Sequence, residues 1–370
     1  MRVLMTGGGT AGHINPALAI ADTIKKNDPE AVIEFVGTKK GLEKSLVKKA
    51  GYNIHFVEIM GISRSLSLQN VKAAMLMIKS QFQAKKIIKE FKPDIVIGTG
   101  GYVCWPALRV AANMGIPTVA HESNARPGLA IKQLQGSLDK ILVNFKDSEN
   151  YIKHKEKVVH VGNPIRGGFG GYDYASAREK LGIASDQVYV LAFGGSLGAQ
   201  TINDMTFEYM KNHLRGNERV VCHLCTGRNY FKEFTEMYEK AELNNCKNLM
   251  LLEYIHDMHV RMSAADVIIC RAGAMTISEL AVMKKACFMI PSPNVVDNHQ
   301  YKNAKVLADA DAVVMVQESE LNSDVFALNL RELITNSDKR ELLAENIGNF
   351  ACHDANKVIY NEILNLVDKK

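Results

Sequence analysis

Two tandem series of short β-like runs, each alternating with helical patterns, limit what this chain can fold into more than any other feature. The first series holds Arg2 to Met5, Ala31 to Val36, Ile54 to Val57, Asp94 to Gly98, Thr118 to His121, Lys140 to Val143 and Val158 to Val161. The second holds Val188 to Phe193, Val220 to Cys225, Leu249 to Leu252, Asp266 to Cys270, Ala286 to Ile290 and Ala312 to Val316. Such alternation predicts an α/β protein of parallel sheets with helices on both faces. The strands outnumber those of one doubly wound sheet of ordinary size, which points to two Rossmann-like domains in tandem. A (β/α)8 barrel is the alternative fold. A glycine turn after the first strand of each series suits two open sheets better.

A chain of 370 residues also favours two domains over one core. The proline- and glycine-rich stretch from Gly162 to Gly171 is the expected hinge. The expected domains are 1–162 and 163–341, followed by a C-terminal helix within 342–370 that folds of this kind can pack back onto the first domain. Hydrophobic content of 47% with 23% charged residues is that of a globular protein in water. No apolar run reaches the ~20 residues that span a bilayer, and the short apolar start stops at glycines, unlike a secretory signal. A net charge of +5 suits an anionic ligand or lipid surface but is too weak to imply nucleic acid. The seven cysteines are scattered and mostly lie in apolar runs, which fits a reducing compartment. Cys222 and Cys225 have C-x-x-C spacing, yet both fall inside an apolar strand with no second pair, so buried strand cysteines are expected.

The first turn, Thr6-Gly7-Gly8-Gly9-Thr10-Ala11-Gly12-His13, sits between a strand and a helix read from Ile14. Free amides at a helix start suit a phosphate. Gly7, Gly9 and Gly12 satisfy G-x-G-x-x-G, but the dinucleotide fingerprint also needs an acidic residue at the end of the second strand. Here that strand ends Phe35-Val36-Gly37-Thr38-Lys39. No G-K-[ST] closes the loop as a nucleoside-triphosphate site would require. A further glycine turn, Gly98-Thr99-Gly100-Gly101-Tyr102, and the cluster His121-Glu122-Ser123-Asn124 follow later strands, so all three are expected at one sheet edge.

In the second series, Arg271-Ala272-Gly273-Ala274 leads from a strand into a helix whose first amides suit a diphosphate, with Glu279 a turn inside to take ribose hydroxyls. The plain alternative is a helix capped by Thr276 or Ser278. Asp297-Asn298-His299-Gln300 adds polar groups after the next strand, while Asp309-Ala310-Asp311 reads as a solvated turn rather than a metal site. The helix Asn70 to Phe91 has two apolar stripes. Ala73, Met77, Ala84, Ile87, Ile88 and Phe91 suit the core. Val71, Met75, Ile78 and Phe82, flanked by Lys72, Lys79, Lys85 and Lys86, suit either a covering loop or an anionic membrane surface.

Six motifs in order carry a family resemblance: Gly8 to His13, Gly100 to Tyr102, His121 to Asn124, Gly162 to Arg166, Gly194-Gly195-Ser196-Leu197-Gly198-Ala199, and Arg271 to Glu279. Together they resemble the MurG family, peptidoglycan N-acetylglucosaminyltransferases that convert lipid I to lipid II. The resemblance implies a GT-B fold, two Rossmann-like domains facing across a cleft, with UDP-GlcNAc held by the C-terminal one. It implies donor contacts from Thr10, Ala11, Gly12, Asn124, Arg166, Ser196, Ile255, Ala274, Met275, Thr276, Ile277, Ser278, Glu279 and Gln300. It further implies inversion at the anomeric centre, the cytoplasmic face of the membrane as the place of action, and no cofactor.

Direct attack by a sugar hydroxyl asks for a general base and for stabilisation of the leaving diphosphate. A helix N-terminus and Arg166 supply the second without a metal ion. His13 is the first candidate base, because histidine titrates near neutrality; Glu122 and His121 are the others. Gly100, Gly101 and Tyr102 are candidates for the acceptor's diphosphate. The chain departs from the family pattern at Ala11 (usually glycine), at Leu197 (usually glutamine) and at His299 (usually the first of two glutamines). A UDP-GlcNAc 2-epimerase on the same scaffold and a non-catalytic sugar-nucleotide-binding subunit remain as alternatives.

Overall fold

The computed structural model describes residues 1–61, 68–165, 169 and 171–368; of the expected hinge, Arg166, Gly167, Gly168 and Gly170 lie outside the described residues. The chain packs as two units, Met1–Ile165 with Cys352–Lys370, and Arg166–Ala351.

Unit 1 is built on a seven-stranded, all-parallel sheet in the order β3-β2-β1-β4-β5-β6-β7. Its strands are β1 (Arg2–Thr6), β2 (Val32–Gly37), β3 (Asn53–Phe56), β4 (Ile95–Gly98), β5 (Thr118–Glu122), β6 (Lys140–Val143) and β7 (Val158–His160). Between them run α1 (Ala11–Asn27), α2 (Glu43–Lys49), α3 (Leu68–Phe91), α4 (Cys104–Asn113) and α5 (Leu129–Leu134). Successive strand side chains point to opposite faces, and both faces are covered, so Val3, Leu4 and Met5 of β1 are apolar without alternation. Leu4 packs with Val96, Ala107, Leu108 and Ile88 on one side. Val3 and Met5 pack with Ile14, Leu18 and Ile24 on the other. The strand order reverses between β1 and β4, whose ends are level, Thr6 beside Gly98. Ligands of doubly wound sheets bind at that switch point.

α1 begins at Ala11, three residues earlier than the apolar pattern indicated. His13 therefore lies in the first helical turn rather than in the loop, and Pro16 falls inside the helix, where the bond to the Gly12 carbonyl is forgone.

Unit 2 has a six-stranded parallel sheet in the order β10-β9-β8-β11-β12-β13. The strands are β8 (Val188–Phe193), β9 (Val220–Cys225), β10 (Leu249–Leu252), β11 (Val267–Cys270), β12 (Ala286–Met289) and β13 (Val314–Met315). Its helices are α6 (Tyr174–Leu181), α7 (Gln200–Tyr209), α8 (Phe231–Lys240), α9 (Met258–Ala264), α10 (Ala274–Val282), α11 (His299–Ala308), α12 (Ser323–Thr335) and α13 (Ser337–Gly348). Cys222 and Cys225 are buried on β9, where desolvation pushes the Cys222 thiol up to about 12. Arg178 of α6 pairs with Asp266 at the start of β11, and Asn322 caps α12 by accepting from the Val325 amide.

The terminal helical stretch is two helices rather than one, broken after Gly348. α13 belongs to unit 2, while α14 (Ala355–Val367) returns to unit 1 and buries Ile359 and Ile363 beside Ile14 and Leu18. Among the described residues, no helix is long and apolar enough to cross a membrane.

Candidate active site

In unit 1 the three expected loops leave neighbouring strands at one edge of the sheet. The Gly8 amide donates to the Gly100 carbonyl at 3.3 Å, which ties the first glycine turn to the second. Gly100 and Gly101 have φ of 113° and 82°, open to glycine far more readily than to other residues. A Cβ at Gly100 would stand 2.5 Å from the His13 ring, and one at Gly101 would stand 2.4 Å from the Gly8 carbonyl oxygen. These glycines therefore make the space in which the imidazole lies.

His13 Nδ1 is 3.1 Å from the Gly8 carbonyl oxygen and 3.3 Å from Thr10 Oγ1. A carbonyl only accepts, so Nδ1 carries the proton of the neutral ring and Nε2 keeps its lone pair. Desolvation lowers the His13 pKa below the ordinary histidine value, opposed by the Gly8 carbonyl. At neutral pH the ring is thus uncharged and able to take a proton at Nε2.

The other two candidate bases are more fully committed. Glu122 is buried; its Oε1 accepts from the Asn124 amide at 2.9 Å and from Asn124 Nδ2 at 3.1 Å, and its Oε2 accepts from the Gly128 amide at 2.7 Å. It shapes the loop that carries Asn124 and the start of α5. His121 is fully buried, with Nε2 2.9 Å from the Gly162 carbonyl and a pKa lowered to about 4 by desolvation. Tyr102 is exposed near the end of the β4–α4 turn, where a Cβ added at Gly61 would stand 3.4 Å from its ring.

One residue of this site gave no sequence signal. Glu43, the first residue of α2, reads as a favourable charge on a surface helix, yet it is 1% exposed and reaches under the first glycine turn. It accepts from the Gly9 amide at 3.1 Å, the Thr38 amide at 2.9 Å and the Thr38 hydroxyl at 2.7 Å. The Gly9 amide of the G-x-G-x-x-G turn thus already faces a carboxylate. That is a second reason, independent of the missing ribose acid, why this turn does not suit a dinucleotide phosphate.

In unit 2, β8, β11 and β12 are neighbours, so the turns after them share an edge as well. The first carries Ser196 and Leu197, both exposed, between Gly195 and Gly198 at φ of 96° and 90°. A Cβ at Gly198 would meet the Thr226 carbonyl at 1.9 Å, so that turn is closed against the loop after β9. α10 starts at Ala274 behind Gly273, so Thr276 and Ser278 lie inside the helix rather than at its N-cap, and Ser278 donates back to the Ala274 carbonyl at 3.2 Å. The capping alternative therefore does not describe this helix. Arg271 donates to the Ile290 carbonyl at 3.0 Å and pairs with Glu318, which also accepts from Thr201, so it braces three elements.

Glu279 lies in the second turn of α10, partly buried, and among the described residues its carboxylate has no hydrogen-bond or ion-pair partner. Desolvation alone raises its pKa to about 7. Gln300 accepts from the Ser292 amide at 2.9 Å through Oε1, leaving its Nε2 to donate elsewhere. His299 Nδ1 is 2.9 Å from the Val296 carbonyl. Ile255 is buried just after β10, while Ala274 and Ile277 are buried and Met275 and Thr276 partly exposed. Asp309 pairs with Lys305, and Asp311 sits in a left-handed turn, φ 49°.

Residues 3–143 match the glycosyltransferase family 28 N-terminal domain, and residues 189–359 match its C-terminal domain. The chain belongs to glycosyltransferase family 28. Among curated members of the family, it is 40% identical over 370 residues to the UDP-N-acetylglucosamine–N-acetylmuramyl-(pentapeptide) pyrophosphoryl-undecaprenol N-acetylglucosamine transferase of Acetivibrio thermocellus, covering 100% of this chain and 99% of that one. The protein of the same name from Alkaliphilus oremlandii is 39% identical, with 100% of each chain covered. The crystal structure of MurG from Acinetobacter baumannii superimposes with a TM-score of 0.79 at 28% identity, covering 100% of this chain and 99% of that one. These family members share the GT-B architecture of two Rossmann-like domains. Arg166, in the motif expected to face the leaving diphosphate, lies outside the described residues.

The helix that suggested a membrane surface is α3. Its first stripe is core: Ala73, Ala84, Ile88 and Phe91 are buried. Among the described residues no loop covers its second stripe; Val71, Met75, Ile78 and Phe82 are 60%, 68%, 59% and 72% exposed. At about 100° per residue the four lie within roughly 60° of one another on the helix surface. Lys72 and Lys85 flank them in solvent, Lys79 pairs with Glu58 at 2.9 Å, and Lys86 is 3.8 Å from Glu90.

Proposed function

We propose that this chain transfers GlcNAc from UDP-GlcNAc to the C4 hydroxyl of MurNAc in undecaprenyl-diphosphate-linked lipid I, inverting the anomeric centre and giving lipid II. It serves peptidoglycan synthesis, and through it cell shape and division, at the cytoplasmic face of the bacterial membrane. The observation that carries this reading is the match of both family domains, in order, on a chain 40% identical from end to end to a transferase of that name.

His13 is the general base. Its Nε2 takes the proton of the attacking hydroxyl as the new C–O bond forms and the bond to UDP breaks. Glu122 holds the loop that presents Asn124 to the donor. Gly100, Gly101 and Tyr102 receive the acceptor's diphosphate, and Thr10, Ala11 and Gly12 line the donor from the first turn.

In unit 2 the N-terminal turn of α10, Ala274 to Ser278, meets the donor diphosphate, with Ser196 beside it. Glu279, without a hydrogen-bond or ion-pair partner among the described residues, takes the ribose hydroxyls, Ile255 meets the uracil, and Nε2 of Gln300 donates to the sugar. Arg166 stabilises the leaving UDP. The exposed stripe Val71, Met75, Ile78 and Phe82 with its lysines rests on an anionic bilayer, where a lipid-linked acceptor resides.

Purified chain, a lipid I analogue and labelled UDP-GlcNAc should give labelled lipid II. Binding of UDP-GlcNAc without transfer would support a binding subunit instead, and an epimer formed without acceptor would support an epimerase.

A further inference from the structure

The Gly8 carbonyl that meets His13 and the Gly9 amide that meets Glu43 are the two ends of one peptide group. Peptide groups are planar, so fixing the N–H end fixes the direction of the C=O end. Gly8 and Gly9 flank this peptide, and glycine on both sides leaves it free to rotate about the adjoining bonds. Something must therefore hold it.

Glu43 Oε2 accepts from Gly9 N–H at 3.1 Å, while Oε1 is anchored by the Thr38 amide and hydroxyl at 2.9 and 2.7 Å. Thr38 Oγ1 in turn accepts from the Gly41 amide at 3.1 Å. The carboxylate fits because three glycines surround it. A Cβ at Gly8 or Gly41 would stand 2.7 or 2.1 Å from the carboxylate, and one at Gly37 would stand 2.6 Å from Glu43 Cγ. Burying a carboxylate is costly unless it is hydrogen-bonded, and here the bonds go to the turn that orients the imidazole. On the opposite side, Gly100 and Gly101 back the ring, and Cys104, whose thiol burial holds protonated, donates to the Gly100 carbonyl at 2.8 Å.

We propose that Glu43 is the positioning residue of the His13 base: it locks the Gly8–Gly9 peptide so that the Gly8 carbonyl holds the imidazole as the Nδ1–H tautomer, leaving Nε2 to accept the proton. The role rests on the reading of His13 as the base. A flipped peptide would present its N–H to Nδ1 instead, favour the other tautomer and place the proton on the nitrogen that must be empty.

The test is the tautomer itself, read from the ring-nitrogen shifts of the ¹⁵N-histidine-labelled full chain, with His13→Gln assigning the signal. Wild type should show a protonated Nδ1 and an unprotonated Nε2. In Glu43→Gln, the carboxamide cannot accept from both backbone amides with both of its arms, so the His13 signals should move toward mixed tautomers. The kcat with a soluble acceptor analogue should fall about ten- to a hundredfold, a partial loss of the base's contribution. UDP affinity should stay within about twofold, as donor contacts in unit 2 are untouched.

Thr38→Val, which removes one anchor and keeps the carboxylate, should shift both readouts the same way by less. A folded Glu43→Gln with the wild-type tautomer overturns the proposal. If that variant does not fold, unchanged tautomer and kcat in Thr38→Val overturn it. Unchanged turnover in His13→Gln would refute the base, yet a tautomer shift in Glu43→Gln would still support the lock, so the two failures are distinguishable.

Discussion

Replacing Glu279 by glutamine should stabilise the free protein and weaken its hold on the donor, with a pH signature that isolates the cause. Desolvation raises the folded-state pKa of Glu279 from 4.5 to about 7. The folded state therefore binds more protons than the unfolded state between these values, so the carboxyl's contribution to stability is full below pH 4.5 and lost as pH rises through 7. At about 1.4 kcal/mol per pKa unit the loss is at most about 3 kcal/mol, and partial solvent access brings it to about 1–3 kcal/mol.

Glutamine carries no charge at any pH. Glu279→Gln should thus melt with wild type near pH 4.5 and on the order of 5 °C higher at pH 8, for a unit of this size. Ribose hydroxyls donating to the carboxylate would favour its charged form, so UDP should bind more tightly as pH rises through 7 and should release up to about half a proton at pH 7. Glu279→Gln should lose that release and bind UDP roughly ten- to a hundredfold more weakly, the loss of hydrogen bonds to a charged group. Differential scanning fluorimetry across pH 4.5–8.5 and titration calorimetry in two buffers of different ionisation enthalpy measure both arms. A melting difference that is the same at every pH, or proton release unaltered in the variant, would refute the reasoning.

His13→Ala should lower kcat by about a hundredfold or more and leave UDP affinity nearly intact in steady-state and binding assays, whereas lost UDP binding would make His13 a loop-shaping residue. Gly101→Ala should abolish turnover while the protein stays folded, because its Cβ would stand 2.4 Å from the Gly8 carbonyl oxygen at a φ of 82°; near-normal turnover would show that the two glycine turns need not touch. Changing Ile78 and Phe82 together to serine should reduce sedimentation with anionic vesicles and spare turnover of a soluble acceptor, and equal sedimentation would remove α3 from the membrane. Ile363→Ala should destabilise unit 1 by about 2–5 kcal/mol in denaturant unfolding, since α14 buries that side chain completely against α1. A cost below about 1 kcal/mol would mean that α14 is dispensable to that core.

The parallel sheets were legible because a strand buried on both faces must be apolar throughout, and Val3-Leu4-Met5 or Val267-Ile268-Ile269-Cys270 can be little else. The glycine turns were legible because φ values such as 113° at Gly100 leave few residues to choose from. Helix starts were less so. Ala11 and Gly12 read as loop, because apolar periodicity begins only where a helix meets the core, and the first turn of α1 stands clear of it. That shifted His13 from a loop tip into a helical turn, a change that fixes its Nδ1 against Gly8.

Glu43 shows where sequence pattern ends. It is a glutamate on a surface-type helix whose neighbours in the chain hardly distinguish it from Glu236 or Glu341, whereas the turn and motif before Glu279 marked that residue in advance. What separates them is long-range. Glu43 meets a turn 34 residues earlier and is fully satisfied there, while Glu279 is desolvated and has no partner among the described residues. The first arrangement suits a residue whose task is finished when the chain folds; the second leaves a charge whose burial a proton or a ligand must offset. Burial and partner count together, neither of them visible in a string of letters, divide Glu43 and Glu122, which brace the loops of unit 1, from Glu279, which we propose meets the donor's ribose.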